Sequence, residues 1–282
     1  MPPATEMIEL VRRHIRLWKT ASHADWRACF TSDYTIEDPV GTGPRLMGSY
    51  EAEWNNMHAE GLRLDMEPYR MIPGGREIVT DLRAVTHLEE PGLGPDLEGG
   101  ARSTLSYTGI YTVDDDGLLC ANRTFADPVS DALWQAFYPT LPPPSERPPP
   151  PRDDLQIRQA VEDHLYFWNL RSREEWRSRF SRDAQVEDPV GTPPCPLGDA
   201  RERWEAAHAD GRRVRLGCNR LIVCGMEALA HTVAFEEVAG RLPRTRSNVE
   251  IFAFDAEGRI KSWRVFREEL EAEAEIGSPA VR

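Results

Sequence analysis

The sequence predicts an α+β protein made of two tandem domains, and three observations support that fold class. The hexapeptide EDPVGT occurs at 37–42 and again at 187–192. At the same spacing of 150 residues, residues of 14–75 recur in 164–225 without a gap, among them Trp18, Trp26, Trp54, His14, His58 and Gly75. In each half, helical periodicity comes first and alternating strand patterns follow. A repeat of two long units indicates a domain pair, because a solenoid needs at least three shorter units.

The repeats place the domain boundaries at 1–140 and 155–282, with a linker at 141–154 between them. The linker sequence LPPPSERPPPPRDD favours an extended spacer of the polyproline type, and a proline-rich recognition segment is the alternative. Repeat 1 carries extra residues in the segment PGLGPDLEGG at 91–100, which we expect to lengthen a hairpin loop.

Each repeat is expected to begin with helices. The first helix has one apolar face, whose members are Met7, Val11, His14, Ile15 and Trp18 in repeat 1 and Ile157, Val161, His164, Leu165 and Trp168 in repeat 2. Capping boxes predict the start of the second helix, at Ser22 with Asp25 and at Ser172 with Glu175. The third helix carries Trp54 and His58, or their equivalents Trp204 and His208.

The remaining segments predict strands. A short strand ends at Asp38 or at Asp188, because the next residue is a proline, which cannot donate to a sheet. Alternation of apolar and polar residues predicts further strands at 77–90, 103–113, 228–238 and 248–254.

The composition argues against several classes of function. A formal charge of −13 repels phosphate backbones and anionic lipids, so nucleic acids and membranes are poor partners. The five cysteines form no CxxC pair and no zinc-finger spacing, so we expect free thiols and no metal site. The first residues lack the apolar stretch of a signal peptide, and no segment approaches the roughly 20 apolar residues of a membrane span. We therefore expect a cytoplasmic protein.

Two aspartates are the first candidates for chemistry. Period-2 alternation places Asp38 on the apolar face of its strand with Ile36, and Asp188 on that of Val186, whereas the preceding glutamates face outward. A carboxylic acid at the apolar rim of a sheet can exchange protons near neutral pH. The alternative is that each aspartate caps the following turn, and the spacing alone leaves both interpretations open.

Two histidines strengthen the case for a pocket. His14 and His164 lie on the apolar faces of the first helices, where a histidine bonded to a backbone carbonyl is the structural alternative. In both repeats, however, the same histidine precedes the same aspartate by 24 residues. A histidine and a carboxylate that both face inward favour a pocket over isolated packing.

This order of elements, with a strand that ends in EDPVG, resembles the ketosteroid isomerase branch of the NTF2-like (SnoaL-like) superfamily over nearly all of both repeats. The resemblance implies two cone-shaped domains, each a curved mixed β-sheet packed on about three helices around an apolar pocket. It implies that Asp38 and Asp188 are general bases. His14 and His164 stand where the family has an oxyanion-donor tyrosine, and Glu250 stands where it has a protonated acid.

Tandem domains with one such aspartate each also resemble the polyether epoxide hydrolases/cyclases of polyketide pathways. That resemblance implies a carboxylate pair in repeat 1, formed by Asp38 with Asp65 or Glu67. Repeat 2 has Arg215 and Gly217 in place of the second carboxylate, so the pair is incomplete there.

The resulting prediction is an acid–base enzyme without a cofactor that acts on a hydrophobic small molecule. Epoxide opening or cyclisation in natural-product biosynthesis is the leading reaction. A ketosteroid isomerase-like double-bond isomerase and a non-catalytic binding or dimerisation module are the alternatives. Candidate substrate-binding residues, for which core packing is the alternative, are Trp18, Trp54, His58, Trp168, Trp204 and His208. The resemblance also implies that the repeats form an intramolecular pseudo-dimer, so that the chain can be a monomer.

Overall fold

The computed structural model describes residues 1–20, 22–59, 62–88, 102–127, 146, 153–198, 201–209 and 211–268. The additional loop at 91–100 lies outside the described residues, and so does the predicted linker except for 146, 153 and 154.

Repeat 1 contains helices α1 (Ala4–Thr20), α2 (His23–Arg27) and α3 (Met47–Ala59), with strands β1 (Phe30–Glu37), β2 (Arg45–Leu46), β3 (Leu62–Gly74), β4 (Glu77–Leu88), β5 (Arg102–Val113) and β6 (Leu119–Ala126). Repeat 2 contains helices α4 (Asp154–Asn169), α5 (Arg173–Ser178) and α6 (Arg201–Ala207), with strands β7 (Phe180–Glu187), β8 (Cys195–Pro196), β9 (Arg212–Cys224), β10 (Glu227–Val238), β11 (Arg244–Phe254) and β12 (Ile260–Arg267).

The strands of each repeat form one curved, mixed, six-stranded sheet. The order is β2-β1-β6-β5-β4-β3 in repeat 1 and β8-β7-β12-β11-β10-β9 in repeat 2. The strand that carries EDP pairs parallel with the last strand of its repeat, and the other pairs are antiparallel. The identical order in both sheets confirms the predicted fold class of two tandem α+β domains.

The helices cover one face of each sheet. The predicted apolar faces of α1 and α4 are buried, including His14 and His164. The predicted capping boxes are wrong in detail, because Ser22 Oγ donates to the Asp25 carboxylate at 2.6 Å and no side chain caps the backbone there. At α4 the cap is Asp153, whose carboxylate accepts from the Gln156 backbone N–H at 2.7 Å.

The opposite face of each sheet packs against the other repeat. Ile78 belongs to the core under the helices of repeat 1, whereas its neighbour Val79 belongs to a separate cluster shared by both repeats. That shared cluster is formed by Val40, Ile72, Val79, Ile110, Phe125, Val190, Ile222, Cys224, Leu229, Val249, Ile251 and Phe266. Because side chains alternate along a strand, each sheet is buried on both faces.

Candidate active site

Repeat 1 contains a partly open cavity of about 110 Å³ between its helices and its sheet. The wall is mostly apolar and aromatic and contains His14, Trp18, Asp38, Pro39, Tyr50, Glu53, Met57, Leu64, Met66, Ala84, Leu105, Tyr107, Tyr111, Asn122, Thr124 and Ala126. The cavity therefore brings together three residues that the sequence had singled out, namely His14, Trp18 and Asp38.

Strand β1 determines where Asp38 points. Ile36 is buried in the core of repeat 1, and Asp38 follows the strand and lines the cavity. Glu37 points to the opposite face, where Arg123 Nε donates to its carboxylate at 3.0 Å. Glu37 therefore faces away from the core of its own domain, as predicted, and repeat 2 covers that face of the sheet.

Three tyrosines surround the Asp38 side of the cavity. Burial, and to a lesser degree the charge of Asp38, raises the pKa of Tyr111 above its ordinary value. Burial likewise raises the pKa of Tyr50 and of Tyr107, so all three phenols keep their protons near neutral pH. Sequence analysis missed them, although Tyr107 and Tyr111 alternate inward on one strand.

Gly109 makes room for one of these rings. A Cβ at Gly109 would lie 2.8 Å from the ring of Tyr111, which is too close for any side chain. Glu250 and Phe252 occupy the corresponding positions of strand β11 in repeat 2. Repeat 1 thus exchanges the buried acid of repeat 2 for a phenol.

His14 lies in the wall of the cavity against aromatic rings. Its ring centroid is 5.0 Å from that of Phe30 and 5.6 Å from that of Tyr111. Burial lowers the pKa of His14 to about 3, so the imidazole is neutral at physiological pH. Its Nδ1 atom has no hydrogen-bond partner among the described residues. A neutral imidazole supplies a hydrogen bond, not a proton, to a group in the cavity.

The second carboxylate is not where the sequence placed it. Leu64 and Met66 line the cavity, so the alternating residues Asp65 and Glu67 of β3 point away from it. Asp65 pairs with Lys19, and Glu67 pairs with Arg83 at 3.1 Å. The expected pairing of Asp38 with either residue in the cavity is therefore corrected by the orientation of the strand.

Glu53 brings a second carboxylate to the cavity instead. It lies on α3, is 7% exposed, and pairs with Arg45 of β2. Tyr50, Glu53 and Met57 line the cavity at helical spacing, so the pattern i, i+3, i+7 was a usable signal that sequence analysis overlooked.

The interior of repeat 2 is filled where repeat 1 is open. Trp263 occupies the strand position of Asn122, as the pairing of each with β7 or β1 shows. Its ring centroid lies 5.0 Å from that of His164, which also contacts Trp176, Phe180 and Phe252. Burial lowers the pKa of His164 to about 3, and neither ring nitrogen has a hydrogen-bond partner among the described residues.

Glu250 is buried beside this tryptophan. Its two carboxylate oxygens accept from Thr232 Oγ1 at 2.5 Å and from Trp263 Nε1 at 2.8 Å. Burial raises the pKa of Glu250 to about 7, and the two hydrogen bonds oppose that shift. Both oxygens are engaged by the protein itself.

Asp188 is held by a cation. Arg267 Nε and Nη2 each donate to its carboxylate at 2.7 Å, which is a bidentate pair. The corresponding position at the end of β6 is Ala126, which lines the cavity of repeat 1. The equivalent aspartates of the two repeats therefore have different surroundings.

His58 and His208 join helices in both repeats. Nδ1 of His58 lies 2.7 Å from Trp54 O, and its Nε2 lies 3.1 Å from Trp18 O. In repeat 2, Nδ1 of His208 lies 2.9 Å from Trp204 O, and its Nε2 lies 3.1 Å from Trp168 O. Each imidazole also stacks on the tryptophan four residues before it. Of these residues, Trp18 alone is found in the cavity wall.

The family comparison agrees with this architecture. Residues 11–122 match the model of the SnoaL-like domain family. The match covers most of the first repeat, and the second repeat has the same strand order, so the chain consists of two tandem α+β domains of the NTF2-like fold.

Solved structures similar to this chain include an LEH-like epoxide hydrolase of M. tuberculosis, with 17% identity over 40% of this chain and 84% of that one and a TM-score of 0.36. SalBIII, an epoxide hydrolase/cyclase-like enzyme in pyran ring formation of the polyether salinomycin, shares 21% identity over 45% of this chain and 94% of its own (TM-score 0.37). A computationally designed 17-OHP binder shares 18% over 39% and 92% (TM-score 0.36). A search of curated proteins finds no match to the chain.

Within the part of the chain that the structure describes, no group of three or more His, Cys, Asp and Glu side chains is arranged to hold a metal ion. Among the same residues, no helix has the length and hydropathy needed to cross a membrane.

Proposed function

We propose that the cavity of repeat 1 is the active site of a cofactor-independent acid–base enzyme for hydrophobic small molecules, with Asp38 as the base. The observation that supports it best is the position of Asp38 in the wall of a cavity that is lined mostly by apolar and aromatic side chains. Its equivalent Asp188 forms a bidentate pair with Arg267. A carboxylate at the wall of such a cavity can accept a proton from a bound molecule.

Epoxide opening fits the groups that line the cavity. Asp38 removes the proton of an attacking hydroxyl or water, whose oxygen then bonds to an epoxide carbon. The carbon–oxygen bond of the ring breaks, and its electron pair stays on the ring oxygen. Tyr111 or neutral His14 donates a hydrogen bond to that oxygen, which then takes up a proton from water, while Asp38 returns the proton that it removed to the solvent. Acid–base assistance of this kind contributes roughly 10²–10⁴-fold, and a fixed donor to the developing charge adds to it.

The size of the cavity restricts what it can hold. Its volume of about 110 Å³ is smaller than an apolar cavity of about 150 Å³ that accepts benzene. Because the cavity is partly open, it can hold the reacting end of a substrate while the rest of the molecule lies in the opening.

The isomerase alternative has weaker support in the geometry. The acid that the resemblance assigned to it, Glu250, lies in repeat 2 with both oxygens engaged. Repeat 1 has Gly109 at that position.

The test compares Asp38→Asn with Asp188→Asn in hydrolysis of styrene oxide, an epoxide that carries a single ring. We expect Asp38→Asn to lower kcat/KM by about 100-fold or more, while Asp188→Asn stays within about threefold of the wild type. Equal rates for the two variants would disprove the assignment. Binding of styrene oxide without turnover by the wild type would favour the non-catalytic binding module.

A further inference from the structure

The EDPVGT turn of repeat 1 is part of the contact between the repeats as well as of the cavity. Val40 belongs to the apolar cluster shared by both repeats. A Cβ at Gly41 would lie 3.4 Å from the backbone of Gly225, so this turn touches the β9–β10 turn of repeat 2. Asp38 therefore lies between its own cavity and the surface of the other domain.

A chain of charged hydrogen bonds crosses that contact. Glu37, the neighbour of Asp38, accepts from the Gly41 backbone N–H at 2.9 Å and from Arg123 Nε at 3.0 Å. Arg123 Nη2 donates in turn to Glu227 of repeat 2 at 2.7 Å. All three charged side chains are partly buried, and the two carboxylates raise the pKa of Arg123 although burial alone lowers it.

Arg123 is also connected to the cavity wall. Its neighbours on β6, Asn122 and Thr124, both line the cavity. The Val40 backbone N–H donates to Thr124 O at 2.8 Å, which ties the turn to the same strand. A shift of Arg123 would therefore move the turn and the cavity wall together.

Repeat 2 contains the mirror arrangement. Arg264 Nε donates to Glu187 at 2.6 Å, and Arg264 Nη2 donates to Glu77 of repeat 1 at 2.5 Å. This chain leads to the turn of Asp188, which Arg267 holds. The two series of hydrogen bonds have the same chemistry. Only the series through Arg123 leads to a glutamate whose neighbour, Asp38, lines a cavity.

We propose that Glu227 of repeat 2 is a positioning residue for Asp38, so that the second domain completes the active site of the first. The proposal rests on the proposed role of Asp38. A carboxylate that clamps Arg123 from the other domain fixes the position of Glu37 and with it the direction of Asp38. Catalysis depends on such placement, since a displacement of 1 Å can cost about 100-fold in rate.

The test compares Glu227→Gln with Glu77→Gln in the full chain. Each substitution removes one charge and the same kind of hydrogen bond between the repeats. We expect Glu227→Gln to lower kcat for styrene oxide about tenfold with KM nearly unchanged. Glu77→Gln should leave kcat within about twofold of the wild type. Both variants should lower Tm by similar amounts, because each removes one charged hydrogen bond between the repeats. Glu227→Asp should restore part of kcat. Equal kcat for the two glutamine variants would overturn the proposal.

The failure of this proposal can be told apart from failure of the proposed function. If Asp38→Asn abolishes turnover but Glu227→Gln and Glu77→Gln behave alike, the catalytic role of Asp38 stands and the positioning role falls. If Asp38→Asn has no effect on turnover, ¹³C NMR titration of the Asp38 carboxyl decides. A changed Asp38 titration in Glu227→Gln but not in Glu77→Gln supports the positioning role, and identical titrations overturn it.

Discussion

The interiors of the two repeats begin from the same frame and end with opposite properties. In repeat 1, Asn122 and Ala126 of β6 leave space beside His14 and Asp38. In repeat 2, Trp263 and Arg267 occupy these positions. Trp263 packs on His164, and Arg267 pairs with Asp188. The residues at two equivalent positions of β6 and β12 thus account for the difference between a cavity with a carboxylate in repeat 1 and a packed aromatic cluster in repeat 2.

The comparison shows how a duplicated domain can divide its tasks. Under the proposed function, repeat 1 holds the reacting group, and repeat 2 has packed side chains where repeat 1 has a cavity. Its buried Trp263 adds contact area and hydrogen-bonds Glu250. The second repeat can then serve as a rigid support for the first.

The largest expected effects, on the free energy of unfolding and on ligand binding, come from exchanging the equivalent residues Asn122 of repeat 1 and Trp263 of repeat 2. Trp263→Asn removes a buried ring and one donor to Glu250, so we expect the free energy of unfolding to fall by about 5 kcal/mol. Asn122→Trp should fill the cavity of repeat 1 and abolish styrene oxide binding. Urea unfolding and ligand titration measure the two effects. Unchanged binding in Asn122→Trp would contradict the location of the site.

The contact between the repeats gives the next largest effect. Asp81 and His231 are equivalent positions that meet each other, with His231 Nε2 3.2 Å from Asp81 Oδ1 and Thr108 donating to the same oxygen at 2.7 Å. Despite burial, which acts to raise it, the bonds from His231 and Thr108 hold the pKa of Asp81 below its ordinary value. His231→Leu removes a hydrogen-bond partner of a buried carboxylate, so it should lower the unfolding free energy by about 2 kcal/mol.

The control for that variant is Arg182→Leu, at an exposed residue of β7. We expect Arg182→Leu to change stability by less than about 0.5 kcal/mol, as for an ordinary surface substitution. Equal losses in the two variants would show that His231 contributes no specific bond.

Lowering the pH should change the unfolding free energy of the two repeats differently, by about 2 kcal/mol. Each buried imidazole has a folded-state pKa of about 3, below its unfolded value of 6.5, so stability is lost as pH falls below 6.5. Between pH 7 and pH 5 each contributes a loss of about 2 kcal/mol. In repeat 2, Glu250 with its pKa of about 7 takes up a proton in this range and offsets the loss from His164.

We therefore expect His14→Phe to reduce the acid sensitivity of unfolding between pH 7 and pH 5 by about 2 kcal/mol. Urea unfolding at both pH values measures it. An unchanged acid sensitivity would mean that His14 is protonated in the folded protein.

The smallest expected effect is a gain. His164 buries two ring nitrogens without hydrogen-bond partners among the described residues, so His164→Phe should raise the unfolding free energy by about 1 kcal/mol at pH 7. Turnover should be unchanged in His164→Phe and lost in His14→Phe. A loss of turnover in both variants would mean that repeat 2 also takes part in the chemistry.

The sequence by itself determined the frame. The repeat spacing, the helical faces and the alternating strands sufficed for two α+β domains, because local periodicity decides which residues face a core. It also determined that the two histidines are buried and that Asp38 points inward beside Ile36.

The tertiary structure alone decided which repeat is open. His14 and His164 have the same local sequence pattern. The difference between the repeats lies in Asn122 and Trp263, which are more than 90 residues from these histidines along the chain. The pairing of β1 with β6 and of β7 with β12 brings them close. Asp65 turned away from the cavity, and Glu53 turned into it, for the same reason. The side of a strand or helix that meets a cavity depends on long-range packing, which no local pattern contains.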